Sequence, residues 1–223
     1  MSASLPKVPR RGLARETADL IRSAIFAGGF APGAPLREVE LAAALGVSRG
    51  SVREGLALLD NEGLIHRGWH RGTSVIEITA HDVEDVYALR AALDRLAAVT
   101  ARRTATADQL TELDELVDRM AEESAADAPD ARLLALDITF HDHIYTAAGN
   151  QRLSRAWEAV RSQVHLFQLR RIAIGGNHYR DQLVAEHREL AALIRSGNLQ
   201  TLARRAEEHV DAARRSLLAD LQG

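Results

Sequence analysis

Apolar residues along the chain change their period near residue 64 and again near residue 79. Between Leu13 and Ala27, Ala18, Ile21, Ile25 and Phe26 share one helical side. The run Gly28-Gly29-Phe30-Ala31-Pro32-Gly33-Ala34-Pro35 stops that helix. A short helix over 38–45 ends at Gly46, and Ser48 is placed as the N-cap of a third helix that Gly63 closes. Two β-prone pieces follow, 64–67 and 73–78, joined by Gly68-Trp69-His70-Arg71-Gly72. From residue 80 on the pattern is helical throughout, with predicted helices at 80–104, 106–126, 130–148, 151–173, 179–196 and 199–221. Thr79 with Asp82 and Thr106 with Gln109 have capping-box spacing. The expected fold is mainly α: an arm over 1–10, a winged helix-turn-helix over 11–78 and an antiparallel six- to seven-helix bundle over 79–223.

Composition narrows this picture. Hydrophobic residues are 46% of the 223, enough for a packed core, and aromatics only 4%. The absence of cysteine excludes disulfides and thiolate metal sites. No run approaches the roughly 20 apolar residues of a membrane span, and the basic N-terminus lacks the apolar stretch of a signal peptide, so a cytoplasmic protein with no membrane partner is expected. The net charge of −3 is unevenly divided: +2 over 1–78 and −5 over 79–223. A mildly basic head on an acidic body fits a DNA-binding module joined to another activity.

In the head, Leu41, Leu45, Val47, Val52 and Leu56 are spaced to close a small core between two helices across Gly46. That leaves Ser48, Arg49, Ser51 and Arg53 near the exposed N-terminus of the second helix, where free N–H groups attract phosphate. An arginine there can form a bidentate pair with a guanine edge. His70, Arg71 and Gly72 at the tip between the strands are candidates for backbone or minor-groove contact. The alternative is that these arginines only make surface ion pairs, such as Arg53 with Glu38 or Glu54.

In the body, Asp137 and His141 fall four residues apart on the apolar stripe Leu133, Phe140, Ile144, Ala148. His187 interrupts the stripe Leu183, Leu190, Ile194, and His209 the stripe Leu202, Ala206, Ala213, Leu217. One carboxylate and three imidazoles on inward faces must meet one another or a cation. The set suits a divalent transition ion, Zn, Ni or Mn, although each histidine alone is also compatible with a hydrogen-bonded core residue. Arg90 interrupts the stripe Val83, Val86, Leu93, Ala97, and Asp94 one turn on could neutralise it. Arg161 and Gln168 lie on the inner side of their helix as candidate ligand contacts. His143 points elsewhere, and His66, His81, His165 and His178 read as surface or incidental.

The run "LAAALGVSRGSVREGLALLDNEGLI", followed by "RGTSV", resembles the GntR family of regulators. "LRAALDRLAA", "DITFHDHIYTAAGN", "EHRELAALIRSGN" and His209 resemble its FadR branch with an FCD ligand-binding domain. The resemblance implies a ligand-responsive transcription regulator, more often a repressor, that binds a short palindromic operator as a homodimer. It also implies metal binding by the Asp137, His141, His187, His209 pattern, with Arg90 holding the carboxylate of a small organic or sugar acid. Gly50 and Gly55 stand where the family usually has Thr and Ala, which is expected to loosen the reading helix by up to about 1 kcal/mol each. Val39 stands where some members carry a base-contacting polar residue, and Arg37 is placed to substitute for it. A helical-bundle metalloenzyme is the competing class, but the inward positions supply one carboxylate and no evident general base, unlike di-iron bundles. A DNA-binding protein with a purely structural metal is a third.

Overall fold

The computed structural model describes residues 11–68, 72–175 and 177–222. The chain divides between Glu77 and Ile78 into two compact units. In the first, α1 (Arg11–Phe26), α2 (Glu38–Leu45) and α3 (Arg49–Asn61) precede β1 (Ile65–Gly68) and β2 (Gly72–Val75). The two strands pair antiparallel, from Ile65 opposite Val75 to Gly68 opposite Gly72. The second strand is shorter than the 73–78 the pattern predicts. A single bridge from Pro35 to Ser74 adds a third segment that the pattern did not show.

Local chemistry accounts for the boundaries. Gly46 ends α2 at φ 66°, a left-handed turn that a side chain disfavours. The Ser48 hydroxyl then accepts the Ser51 N–H at 3.1 Å and starts α3. The core beneath holds Ala18, Ile21, Ile25, Leu36, Leu41, Val52, Leu56, Leu59, Leu64 and Ile65, all buried.

The two glycines of α3 differ in their surroundings. A Cβ on Gly55 would lie 3.1 Å from the Ala14 carbonyl oxygen and 3.1 Å from Thr17 Cγ2, so glycine here permits the close approach of α1 and α3. That approach offsets the expected loosening at this position. At Gly50 the nearest atom is Ser48 Oγ at 3.6 Å, so no crowding calls for glycine there.

The second unit holds six helices among its described residues: α4 (Ala80–Thr104), α5 (Ala107–Ala125), α6 (Asp130–Ala147), α7 (Gln151–Gly175), α8 (Asn177–Ser196) and α9 (Leu199–Gln222). Both capping boxes form, Thr79 with Asp82 and Thr106 with Gln109. Asn150 and Asn198 cap the following helices through their side-chain oxygens. The interior is closed by Val83, Tyr87, Ala97, Leu133, Phe140, Phe167, Leu183, Leu190, Leu202 and Leu217. No described helix is long and apolar enough to cross a membrane.

Candidate functional site

In the first unit, α2 and α3 present the predicted reading residues on one exposed surface. The side chains of Arg49 and Arg53 are 63% and 58% exposed. Arg53 donates from Nε and Nη2 to Glu38 at 3.1 and 2.9 Å, and Arg49 lies 3.9 Å from the same carboxylate. The surface ion pair weighed as an alternative is therefore formed. These bonds hold Glu38 below the usual carboxylate range. An exposed pair of this kind contributes about 0–1 kcal/mol, so it orders Arg53 without preventing its transfer to another anion. Ser48 and Ser51 hydroxyls are 2.9 Å apart. Arg37 is paired with Glu40, and Val39 is exposed. Gly72 opens β2 at φ 76° and is exposed. His70 and Arg71 lie outside the described residues.

In the second unit the four predicted metal ligands come together. Asp137 and His141 from α6, His187 from α8 and His209 from α9 each offer a ligand atom, and these atoms lie within 4.8 Å of one another. Metal–nitrogen and metal–oxygen bonds are about 2.0–2.2 Å, so a small contraction of the four groups would let them hold one ion. Asp137, His141 and His187 are buried, and only the edge of His209 reaches solvent.

Hydrogen bonds set the direction of each ring. His187 Nδ1 donates to the Leu183 carbonyl at 2.7 Å, His209 Nδ1 faces Glu186 Oε2 at 2.9 Å, and His141 Nδ1 lies 3.4 Å from Asp94 Oδ2. Each ring thus keeps Nε2 for the centre, the arrangement that outer partners impose on metal-binding histidines. His187 Nε2 is also 2.8 Å from Asp137 Oδ1. A neutral imidazole donates from only one nitrogen, so acceptors at both require a positive species between Nε2 and Oδ1, either a second proton or a metal ion. The donor set therefore fits a metal.

Electrostatics favour the same state. Burial alone would raise the Asp137 pKa, but hydrogen bonds from His141 and His187 hold it well below its usual 3.8. Gln168 Nε2 and the Tyr179 hydroxyl also approach its other oxygen, at 3.2 and 3.4 Å. Burial lowers His209 from 6.5 to about 4, against the opposing pull of Glu186. In the fold it stays neutral where an unfolded histidine is already protonated. Its contribution to stability is therefore fully present above pH 6.5 and lost as pH falls from 6.5 through 4. Urea unfolding in the presence of a chelator is expected to show this decline, and His209→Gln is expected to flatten it. An unchanged slope between pH 6.5 and 4 in the variant would refute the assignment.

Arg90 reaches the cluster from α4 and is 1% exposed. Its Nε donates to Asp94 at 3.2 Å, as predicted for neutralisation, and its Nη2 lies 3.0 Å from His141 Nε2. Asp94 also accepts the Tyr145 hydroxyl at 2.5 Å. Among the described residues, two buried donors on α4, Arg90 Nη1 and the Tyr87 hydroxyl, have no hydrogen-bond acceptor. Burial pushes the Tyr87 pKa up to about 12, so it remains an O–H donor.

The other predicted contacts divide. Gln168 is at the site, whereas Arg161 makes a two-pronged pair with Asp142, which also accepts Trp157 Nε1. His143 turns to the Gln109 carbonyl, away from the cluster. His165, read as surface, is instead half-buried on α7, and burial and Arg161 lower it to about 4. Its helix buries more of its face than the apolar stripe indicated. The side chain of His178 lies outside the described residues. Pattern reading did not identify Tyr87, Tyr179 or Glu186; their phenol and carboxylate groups carry no periodic signal that marks an inward partner.

Comparison with known proteins agrees with both units. The profile of the bacterial regulatory proteins of the GntR family matches residues 13–75, and that of the FCD domain matches residues 85–212. An HTH-type transcriptional regulator encoded in an unstable DNA locus of Streptomyces ambofaciens is 33% identical over 83% of this chain and 76% of its own length. The "Probable D-xylose utilization operon transcriptional repressor" of Paenarthrobacter nicotinovorans is 29% identical over 95% of this chain and 92% of its own. The fold is that of E. coli McbR/YncC, with a TM-score of 0.80 at 19% identity over 95% of this chain and 99% of that one. These relatives are regulators rather than enzymes, and the chain belongs to the GntR family of bacterial transcription regulators, with an FCD domain as its second half.

Proposed function

We propose that this chain is a FadR-type regulator whose second unit senses a small organic or sugar acid with the help of a divalent transition ion. The observation that carries the reading is the convergence of Asp137, His141, His187 and His209 within 4.8 Å, with the Arg90 guanidinium against His141. Those four residues would hold Zn, Ni or Mn, which would supply a Lewis-acidic seat for a carboxylate oxygen. Arg90 then positions the acid by a charge-assisted fork, while Asp94 fixes Arg90, and Tyr145 fixes Asp94. The acid acts by binding one conformation of the regulator better than another.

On DNA, a homodimer would set two α3 helices against a palindrome, with Arg49 and Arg53 reading base edges and Ser48, Ser51, Arg37 and the strand turn at Gly72 holding phosphates. The relative from P. nicotinovorans is named a repressor, which supports repression as the direction of control.

A thermal-shift screen of organic and sugar acids, with and without divalent metal, tests the sensing function. Stabilisation by an acid only when metal is present is expected. Stabilisation by metal and by no acid would favour the second reading, a structural ion. A specific observation keeps that reading in view: the cavity between His141, His209, Asp94 and Tyr145 measures about 10 Å³, room for a single water-sized species.

A further inference from the structure

We infer that the cleft between α8 and α9 is the port through which the metal ion exchanges with solvent, the His209 ring being its inner wall and Glu186 the latch that holds this ring closed. The inference rests on the metal-holding part of the proposed function and does not depend on which acid is sensed.

Burial fixes where a port can lie. Asp137, His141 and His187 are 1%, 2% and 0% exposed, whereas the His209 side chain is 10% exposed. Among the described residues, His209 is thus the ligand at which solvent reaches the cluster. A cavity adjoins it on each side. The inner one, against His141, Asp94 and Tyr145, measures about 10 Å³ and is closed to a hydrated ion. The outer one is a cleft of about 430 Å³ between α8 and α9, with Glu186, Leu190, Ala212 and His209 among its walls. Six waters at about 30 Å³ each occupy about 180 Å³, so the cleft has room for a divalent cation with its hydration shell.

Charge on the cleft wall favours a cation. Glu186, Glu189 and Glu208 against Arg205 and Arg215 leave one net negative charge. Arg205 donates to Glu189 on α8 at 2.7 Å and to Glu208 on α9 at 3.0 Å, and Arg215 pairs with Asp211. Glu186 instead accepts from His209 Nδ1 at 2.9 Å.

That bond makes His209 a wall that can open. On its inner side the ring meets other rings: it stacks on His141 with centroids 5.4 Å apart, and His187 meets it edge-on at 4.9 Å. Ring contacts tolerate a range of geometries, so the charge-assisted bond to Glu186 is the directional contact that sets the angle of the ring. Breaking it lets His209 turn about its own side-chain bonds and opens the cluster to the cleft. Glu186 directly precedes His187, so the latch and a fully buried ligand ride on the same turn of α8.

A port changes a barrier and neither end state, so it sets rates and leaves affinity alone. The experiment uses the full chain and zinc alone. Stopped flow against a chromogenic chelator follows uptake and release, and competition titration gives affinity. Ala212 lies on the cleft wall, three residues from His209 on the same face of α9. Ala212→Trp fills the cleft and should slow uptake and release alike, by about tenfold or more, with zinc affinity and thermal stability as in the parent protein. Ala135→Trp, the same added bulk at an exposed position of α6, should leave both rates at parent values. Glu186→Ala should speed uptake and release together, each by about tenfold. Parent-like rates in Ala212→Trp would overturn the port while leaving metal binding intact. Should Ala212→Trp lose thermal stability, Glu186→Ala decides. Faster release without faster uptake would show an outer partner that merely strengthens its ligand, and would overturn the inference. If the parent protein takes up no zinc, the metal reading falls and the port with it.

Discussion

Replacing His187 by alanine is expected to abolish metal uptake by the second unit. His187 is the only ligand whose two nitrogens are both committed at short range, Nδ1 to the Leu183 carbonyl at 2.7 Å and Nε2 to Asp137 at 2.8 Å. The ring is thus held in one orientation before any ion arrives. Its removal takes away a donor and also one of the two groups, with His141, that keep the Asp137 carboxylate ionised in a buried site. Loss of an outer partner alone lowers metal affinity about 10–100-fold, and loss of a ligand with two such roles should exceed that. Elemental analysis after dialysis against zinc checks it, and metal content equal to the parent protein would remove His187 from the site. The variant also leaves a cavity beside Phe140, whose ring centroid is 4.7 Å from that of His187. His187→Gln, which fills more of that volume, separates loss of ligation from loss of packing.

The second large effect concerns the head. Arg53→Ala should weaken operator binding and narrow the gap between operator and random DNA by about 5–150-fold, the 1–3 kcal/mol carried by one bidentate arginine–guanine pair. Free protein loses little, because the Arg53–Glu38 pair it gives up is exposed on the arginine side. Removal of Glu38 makes a useful contrast. Glu38→Gln frees both arginines, and it should raise affinity for operator and random DNA alike while reducing discrimination. Fluorescence anisotropy with operator and scrambled duplexes at fixed salt measures both. An unchanged ratio between the two duplexes for Arg53→Ala would show that Arg53 contacts backbone alone.

Much of this molecule was legible along the chain because it is helical and its signals are local. Gly46, Ser48, Thr79 with Asp82 and Thr106 with Gln109 each act within one turn, and each does in the structure what its spacing implies. The four candidate ligands were legible for a related reason: a polar residue on an apolar stripe has only the interior to face. Helical period therefore identified Asp137, His141, His187 and His209 as inward without revealing how close they come.

Other features depended on residues distant in sequence. Gly55 reads as a weak point in a helix, yet its missing Cβ is what lets Ala14 and Thr17 pack against it from α1. Arg161 reads as inward, but Asp142, on the neighbouring helix, takes its guanidinium. Arg53 reads equally as a DNA contact or as half of an ion pair, and only the placement of α2 beside α3 showed that Glu38 holds it.

The sequence by itself determined the winged head, the helical body and the inward faces from which the ligands project, since caps, glycine turns and periodicity act over a few residues. Tertiary structure decided what those inward groups meet. It set His187 against Asp137 and brought Arg90 Nη2 to 3.0 Å from His141 Nε2. Those outcomes depend on how α4, α6 and α8 are spaced, and spacing between helices is fixed by the packing of many side chains at once rather than by any run of residues.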